Sequence, residues 1–265
     1  MKRRVISIIL LVVLMFSMTA CNTSDEKENS FVVEEEDGNQ NITDENSNIV
    51  NDNENFGVSI SCEVGEVISF GTYEQDNDES NGAEEIFWYV CKIEDGKALL
   101  ASISLLDCQK YNTDRVEVVW ETCSLRAWLN EDFYKQAFSE DEQTIINESI
   151  VINSENTYDN RNGGNDTLDK VFILSMKEVD EYLPDYFMYG HATNYALAQG
   201  CDTSSYRGHE GTQAENSSVW WVRTPGASSY GAIMVDYEGK FVTNGHVVDE
   251  DKGIRPAVWI TLDIQ

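Results

Sequence analysis

Apolar and polar positions divide this sequence into three stretches of different character. Residues 5–18 are almost entirely apolar, whereas residues 22–56 are almost entirely polar. From residue 57 to residue 265, short apolar runs alternate with polar turns, which is the pattern of a folded chain. A stretch of roughly 200 residues with this pattern is typical of one domain.

The first part of this domain carries the pattern of β-strands. Residues 66–71, 86–93 and 97–104 are rich in branched and aromatic side chains, which favour strands. Asp95 and Gly96 form a turn signal between the second and third of these runs. We therefore expect those two strands to pair as a hairpin.

The middle of the domain changes to the spacing of helices. Leu125 and Leu129 fall on one helical face, and Thr122 precedes them at a position that favours a helix cap. Residues 139–142 and 175–178 each match a capping box, in which a serine is followed three residues later by a glutamate. Each box predicts the start of a further helix.

The last part of the domain returns to strands. A short helix is expected over residues 191–199, where Gly200 would end it. Strands are predicted at residues 149–153, 170–174, 219–223, 231–236, 240–244 and 254–262. Strands first, helices in the middle and strands last predict an α+β fold, with helices packed on one side of an antiparallel sheet.

The N-terminal apolar run has the features of a secretory signal peptide, which we assign to residues 1–21. It follows the basic residues Lys2, Arg3 and Arg4, and it is shorter than the roughly 20 apolar residues that a transmembrane helix needs. The small residues directly before Cys21 resemble the lipobox of bacterial lipoproteins. That resemblance implies that Cys21 carries a diacylglyceryl group and becomes the mature N-terminus.

Residues 22–56 and the overall charge narrow the location and the partners. Asn, Asp, Glu and Ser dominate this segment and Lys27 is its only base, so we interpret it as a disordered acidic tether. A tether after a lipid predicts a domain held on the extracellular face of the cell membrane, in the style of a Gram-positive envelope. The net charge is −30, whereas nucleic-acid binding needs a basic surface, so nucleic acid is excluded as a partner.

Several strings of residues, taken in order, resemble a known bacterial family. The strings are WYV at 88–90, SLRAWLN at 124–130, DKVFILS at 169–175, WWVRTPG at 220–226 and GIRPAV at 253–258. They resemble domain-of-unknown-function family 6273, and the resemblance runs from about residue 65 to the end. The family is common in secreted and lipid-anchored proteins of Firmicutes and has no established activity, so it implies an architecture and no chemistry.

The end of the domain also has a more distant resemblance. A Trp-Trp-x-Arg-x-Pro-Gly strand, a hairpin and a closing Gly-x-Arg-Pro strand are similar to the end of the C-type-lectin-like fold. Formylglycine-generating enzymes and sugar-binding lectins share that fold, but a fold does not imply a function. Formylglycine-generating activity would need suitably placed cysteines late in the domain, and Cys201 stands alone as the last one.

Five residues are candidates for binding a ligand. Trp220 and Trp221 are neighbours on a predicted strand, so one side chain should face the core and the other a surface or cleft. An exposed tryptophan would stack on a sugar ring, although core packing explains these residues equally well. Arg223 and Arg255 fit either a clamp for an anion or buried positions satisfied by acidic side chains and backbone carbonyls. His209 lies beside a glutamate in a predicted loop, a pair that can bind metal or transfer protons.

Other kinds of chemistry are not indicated. The three histidines lack metal-binding spacing, and the G-x-S-x-G, H-E-x-x-H and P-loop motifs are missing, so we predict no catalytic residue, cofactor or metal site. The loop at 158–167 is rich in oxygen ligands that can hold calcium, but it lacks the spacing of a calcium loop, and ordinary turn chemistry explains its residues equally well. The five cysteines beyond Cys21 include no C-x-x-C pair, and one disulfide among them is the alternative to five free thiols.

These observations lead to one hypothesis and two alternatives. The hypothesis is a non-catalytic binding or adhesion module, anchored to the membrane by lipid, whose ligand is a glycan or a protein. The first alternative is an envelope enzyme whose site uses Arg223, Arg255 or His209. The second is a structural component of a surface assembly.

Overall fold

The structure is a computed structural model that describes residues 58–204, 212 and 214–263. The predicted signal peptide (1–21) and tether (22–56) lie outside these residues. The strands found within them are β1 (Val67–Tyr73), β2 (Glu84–Glu94), β3 (Lys97–Ser102), β4 (Asp107–Lys110), β5 (Ile146–Asn147), β6 (Ser149–Val151), β7 (Thr167–Asp169), β8 (Val171–Ile173), β9 (Trp220–Pro225), β10 (Gly231–Val235), β11 (Phe241–Val247), β12 (Asp251–Ile254) and β13 (Pro256–Thr261).

Short helices lie between these strands. They are α1 (Ser124–Trp128), α2 (Tyr134–Ala137), α3 (Glu140–Gln143), α4 (Met176–Tyr182) and α5 (Asn194–Ala198), and a π-helical turn (Leu129–Phe133) joins α1 to α2. None of the helices in the described ranges is long and apolar enough to cross a membrane.

The helix starts follow from local side-chain chemistry. Both predicted capping boxes are confirmed, because Ser139 caps α3 with Glu142 and Ser175 caps α4 with Glu178. The expected cap of α1 is wrong. The chain is still extended at Cys123, and its sulfur, not the hydroxyl of Thr122, accepts the backbone N–H of Arg126.

The first sheet holds the predicted hairpin. Its strand order is β1-β2-β3-β13-β5, and β8 also pairs with β13. All of these pairs are antiparallel. The hairpin of β2 and β3 turns at Asp95 and Gly96, which both have positive φ as a tight two-residue turn requires.

The second sheet has the order β11-β10-β9-β12-β4, and a small third sheet pairs β6 with β7. In the second sheet only the pairing of β12 with β9 is parallel. The chain passes between the two main sheets four times, from β3 to β4, from β4 to β5, from β8 to β9 and from β12 to β13. Arg255 is the single residue between β12 and β13, so it lies where the chain passes from one sheet to the other.

One main apolar core lies between these elements, beside a small separate cluster of Cys108, Ala196 and Cys201. Its largest members are tryptophans, and Trp88, Trp120, Trp220 and Trp221 are all buried. The order of strands and helices gives an α+β fold, as the sequence predicted. The division of the strands into two main sheets was not part of that prediction.

Candidate functional site

Trp220 and Trp221 are both interior residues. They lie on β9, where every residue is buried, and their exposed fractions are 1% and 0%. The indole N–H of Trp220 donates to the carbonyl of Met188, and that of Trp221 donates to the carbonyl of Gln109. The expectation that one of the two faces a surface or cleft is wrong, because β9 is the central strand of its sheet and both of its faces are covered.

The guanidinium of Arg223 is buried and fully bonded. It forms a two-pronged ion pair with Glu178, in which Nη2 lies 2.9 Å from Oε1 and Nη1 contacts Oε2. Its remaining N–H groups donate to Asn153 Oδ1 and to the carbonyls of Ile152 and Ile173. All five donors of an arginine are therefore used within the protein, and none is left for a ligand.

Glu178 joins this ion pair to the start of α4. Its carboxylate also accepts the N–H and the hydroxyl of Ser175, as the capping box requires. Burial acts to raise the pKa of Glu178, but the charge of Arg223 and these hydrogen bonds outweigh it and hold the pKa below its usual value. The carboxylate is thus ionised at neutral pH and balances the buried arginine.

Arg255 is buried, and among the described residues it has no acidic partner and its Nε has no hydrogen-bond partner. Its guanidinium donates to the carbonyls of Ser102 and Ile103, each at 2.8 Å, and to that of Phe187 at 3.0 Å. It also lies over the ring of Trp220, 4.9 Å from the centroid. Burial lowers the pKa of Arg255 to about 10, which keeps the group charged at neutral pH.

Three arginines lie in the strings that resemble the family, and they are held in different ways. Arg126 and Arg223 each meet a carboxylate, and Nε of Arg126 lies 2.6 Å from Oδ1 of Asp169. Arg255 depends instead on backbone carbonyls and aromatic rings. The predicted partners, acidic side chains and backbone carbonyls, are both found at Arg223, whereas Arg255 has the carbonyls but no acidic partner among the described residues.

The remaining sequence candidates are Cys21, His209 and the loop at 158–167. Cys21 and His209 fall outside the described residues. In the loop at 158–167, Asn162 Oδ1 accepts the N–H of Gly164, which is the ordinary turn chemistry that the sequence suggested. Asp166 Oδ1 accepts the N–H of Asn153, a bond between residues that are 13 positions apart.

A cleft on the second sheet was not among the sequence candidates. Its volume is about 700 Å³, and it extends over β10, β11 and β12 and the turn between β10 and β11. It is lined by Asp202, Val219, Met234, Asp236, Tyr237, Glu238, His246, Glu250, Asp251 and Lys252. Half of these side chains are carboxylates and one is a lysine, so the cleft is strongly acidic.

The lysine of this acidic cleft is already engaged. Lys252 is 8% exposed, its Nζ lies 3.1 Å from Oε2 of Glu250, and it sits 5.8 Å from the ring centroid of Trp221. The same carboxylate lies 3.4 Å from Nδ1 of His246. Asp251, by contrast, is exposed on β12. The excess negative charge of the cleft is thus carried by the carboxylates around this pair.

A sequence signal for the acidic cleft existed but was weak. Four of its five acids stand in two short stretches next to strands, at 236–238 and 250–251, and Asp202 stands apart from both. Acidic turns are common on any surface, and only the pairing of β10 with β11 and of β12 with β9 brings these two together.

Comparison with known proteins identifies the family. A family model described as a domain of unknown function, DUF6273, matches residues 95–262. Searches of curated proteins and of solved structures give no match. The match to the family model covers well over half of the chain and agrees with the resemblance found in the sequence, so the chain belongs to the DUF6273 family.

Proposed function

We propose that this chain is a lipid-anchored surface protein whose domain binds a basic segment of another protein in the acidic cleft. The sequence of residues 1–21 supports the location, because it has the features of a signal peptide ending at a lipobox cysteine. Residues 22–56 would then serve as the spacer between the membrane and the domain.

The chemistry of the acidic cleft carries the proposal. Asp202, Asp236, Glu238, Glu250 and Asp251 line a space of about 700 Å³ together with one lysine, Lys252. A second lysine, Lys240, forms an ion pair with Glu238, so the carboxylates still outnumber the lysines five to two. Such a surface attracts positive charge and repels anions.

The apolar part of the cleft narrows the choice of ligand class further. Val219 and Met234 line it beside the carboxylates. A lysine or arginine side chain combines an apolar stem with a charged end, which matches this mixture. A flexible basic segment of a protein offers several such side chains in a row.

A glycan ligand and an enzymatic function have less support than a basic protein ligand. A glycan site was expected to use an exposed tryptophan, but Trp220 and Trp221 are both buried. An enzyme built on Arg223 and Arg255 would need guanidinium groups that reach a substrate. Arg223 has all five donors bonded within the protein, and Arg255 is 1% exposed.

Binding of a lysine-rich peptide to the full chain in detergent tests the proposal. The double variant Asp202→Asn with Asp251→Asn should weaken binding about tenfold, because it removes two charges from the cleft. An asparagine at position 202 keeps an oxygen that can accept the hydroxyl of Tyr237, which lies 2.7 Å from Oδ2 in the native chain. Affinity measured by calorimetry at two salt concentrations should also fall as salt rises.

The control removes the same charge elsewhere. Asp132 and Asp180 are exposed and lie outside the acidic cleft, so the variant Asp132→Asn with Asp180→Asn should bind like the native chain. An equal loss in both variants would show only a general effect of charge, and the cleft would lose its role. Binding of a glycan but of no basic peptide would replace the proposed ligand class.

A further inference from the structure

Two buried cysteines from distant parts of the chain meet at the edge of the second sheet. Cys108 lies on β4 opposite Gly253 of β12, and Cys201 follows α5. Their side chains pack together with Ala196 in a small cluster. Both are free thiols in the structure.

The position of Cys201 is fixed by the way α5 ends. Gly200 has a φ of +114°, which a glycine adopts without strain. The N–H of Gly200 bonds the carbonyl of Leu197, and the N–H of Cys201 bonds that of Ala196, each at 3.1 Å. This pattern is a Schellman motif, in which the residue after the glycine packs back onto the last turn of the helix. The motif turns the Cys201 side chain inward, where its sulfur also lies 3.8 Å from the carbonyl of Asp107.

The other described cysteines have different surroundings. The thiol of Cys91 contacts the carbonyl of Tyr89, and Cys123 caps α1. Cys62 is partly exposed near the start of the domain. Cys108 and Cys201 are therefore the pair that the fold has brought into contact.

We propose that Cys108 and Cys201 form an intramolecular disulfide when the chain meets a disulfide-bearing oxidant. One thiolate attacks the disulfide of the oxidant and releases one of its thiols, which leaves a mixed disulfide. The second cysteine then attacks that mixed disulfide, forms the Cys108–Cys201 bond and releases the second thiol. The protein loses two protons and two electrons, and the oxidant gains them as two thiols.

The surroundings of the pair make the exchange slow once the domain has folded. The neighbouring Cys201 thiol, together with burial, raises the pKa of the Cys108 thiol, so little thiolate is present at neutral pH. The two cysteines are 4% and 8% exposed, which also limits access. The bond therefore forms mainly during folding, and in the folded domain it resists reduction.

The bond would also fix one wall of the acidic cleft. Asp202 lines the cleft and follows Cys201 directly, whereas Asp251 lies on β12, the strand that pairs with β4. A covalent link would hold the start of the chain after α5 against that strand edge. The disulfide itself does not depend on the ligand proposed above, and it can be tested without one.

Refolding of the full chain in oxidised and reduced glutathione tests the inference. Under oxidising conditions the mass should fall by two hydrogens, and peptide mapping should link Cys108 to Cys201. The bond closes the loop from residue 108 to residue 201, so the melting temperature should be roughly 5–15 °C higher in the oxidised form. This difference should vanish in Cys201→Ala and in Cys108→Ala.

Cys91→Ala is the matched control. It also removes a buried thiol, yet the difference in melting temperature between its oxidised and reduced forms should match that of the native chain. A map that links other cysteines, or a native chain whose two thiols stay free under oxidant, would overturn the inference. The peptide map of the native chain tests the Cys108–Cys201 disulfide even if one of the variants does not fold.

Discussion

The free energy of unfolding of the variant Arg255→Met is expected to be about 4 kcal/mol lower than that of the native chain. Methionine fills most of the same volume, so the loss comes from the polar atoms that remain. The carbonyls of Ser102 and Phe187 would each lose a donor in buried surroundings, that of Ile103 would lose one in partly buried surroundings, and the stacking on Trp220 would disappear. Unfolding in urea, followed by tryptophan fluorescence, measures the change.

The variant Arg255→Lys separates the charge from the geometry. An ammonium group keeps the charge, but it is a single point and cannot reach the carbonyls on both sides as the planar guanidinium does. We expect this variant to lose about 2 kcal/mol. The exposed Arg115 serves as the control, and Arg115→Met should change stability by less than about 0.5 kcal/mol. If the variants at position 255 lost less free energy of unfolding than the control Arg115→Met, water or other groups would be replacing the arginine.

The variant Glu178→Gln should lower the free energy of unfolding by about 3 kcal/mol at neutral pH. Glutamine has the same shape, but it leaves the buried Arg223 without a counter-charge. Glu142→Gln is a close control, because Glu142 makes the same capping-box bonds with Ser139 and has no arginine partner among the described residues. Its loss should stay below about 1 kcal/mol. Equal losses in the two variants would place the effect in the capping box instead of the ion pair.

The same ion pair predicts a pH dependence. The pKa of Glu178 is lower in the folded state than its ordinary value of 4.5, so the folded state binds fewer protons than the unfolded state around that pH. The contribution of Glu178 to stability is therefore complete above pH 4.5 and is lost as the pH falls through the folded-state pKa. Melting temperatures measured between neutral pH and about pH 3 should fall more steeply for the native chain than for Glu178→Gln.

The features that the sequence predicted correctly depend on neighbouring residues. The turn at Asp95 and Gly96 and the capping boxes at Ser139 and Ser175 involve groups only a few residues apart, so their chemistry is visible in the sequence. The α+β class follows from the order of such elements. The prediction of the N-terminal cap of α1 was wrong because the thiol of Cys123 accepts the backbone N–H, a role that hydroxyl and carboxylate groups usually have.

The features that the sequence did not predict depend on contacts between distant segments. Side chains alternate between the two faces of any strand, whether one face is open to solvent or both are covered. The alternation along β9 therefore cannot show that Trp220 and Trp221 are both buried. The partners of Arg255 come from residues 102, 103 and 187, and no local pattern connects them to it. The acidic cleft has the same origin, since its carboxylates belong to three separate stretches of chain.

The placement of β12 and β13 has a consequence for how the chain folds. β13 lies between β3 on one side and β5 and β8 on the other, while β12 lies between β9 and β4. One continuous stretch late in the sequence therefore completes both main sheets, and it pairs with strands that were synthesised long before. Contacts over such distances make folding slow, on a scale of milliseconds to seconds. The chain would therefore remain unfolded until β12 and β13 have been synthesised. The proposed secretion of the protein requires an unfolded chain of this kind.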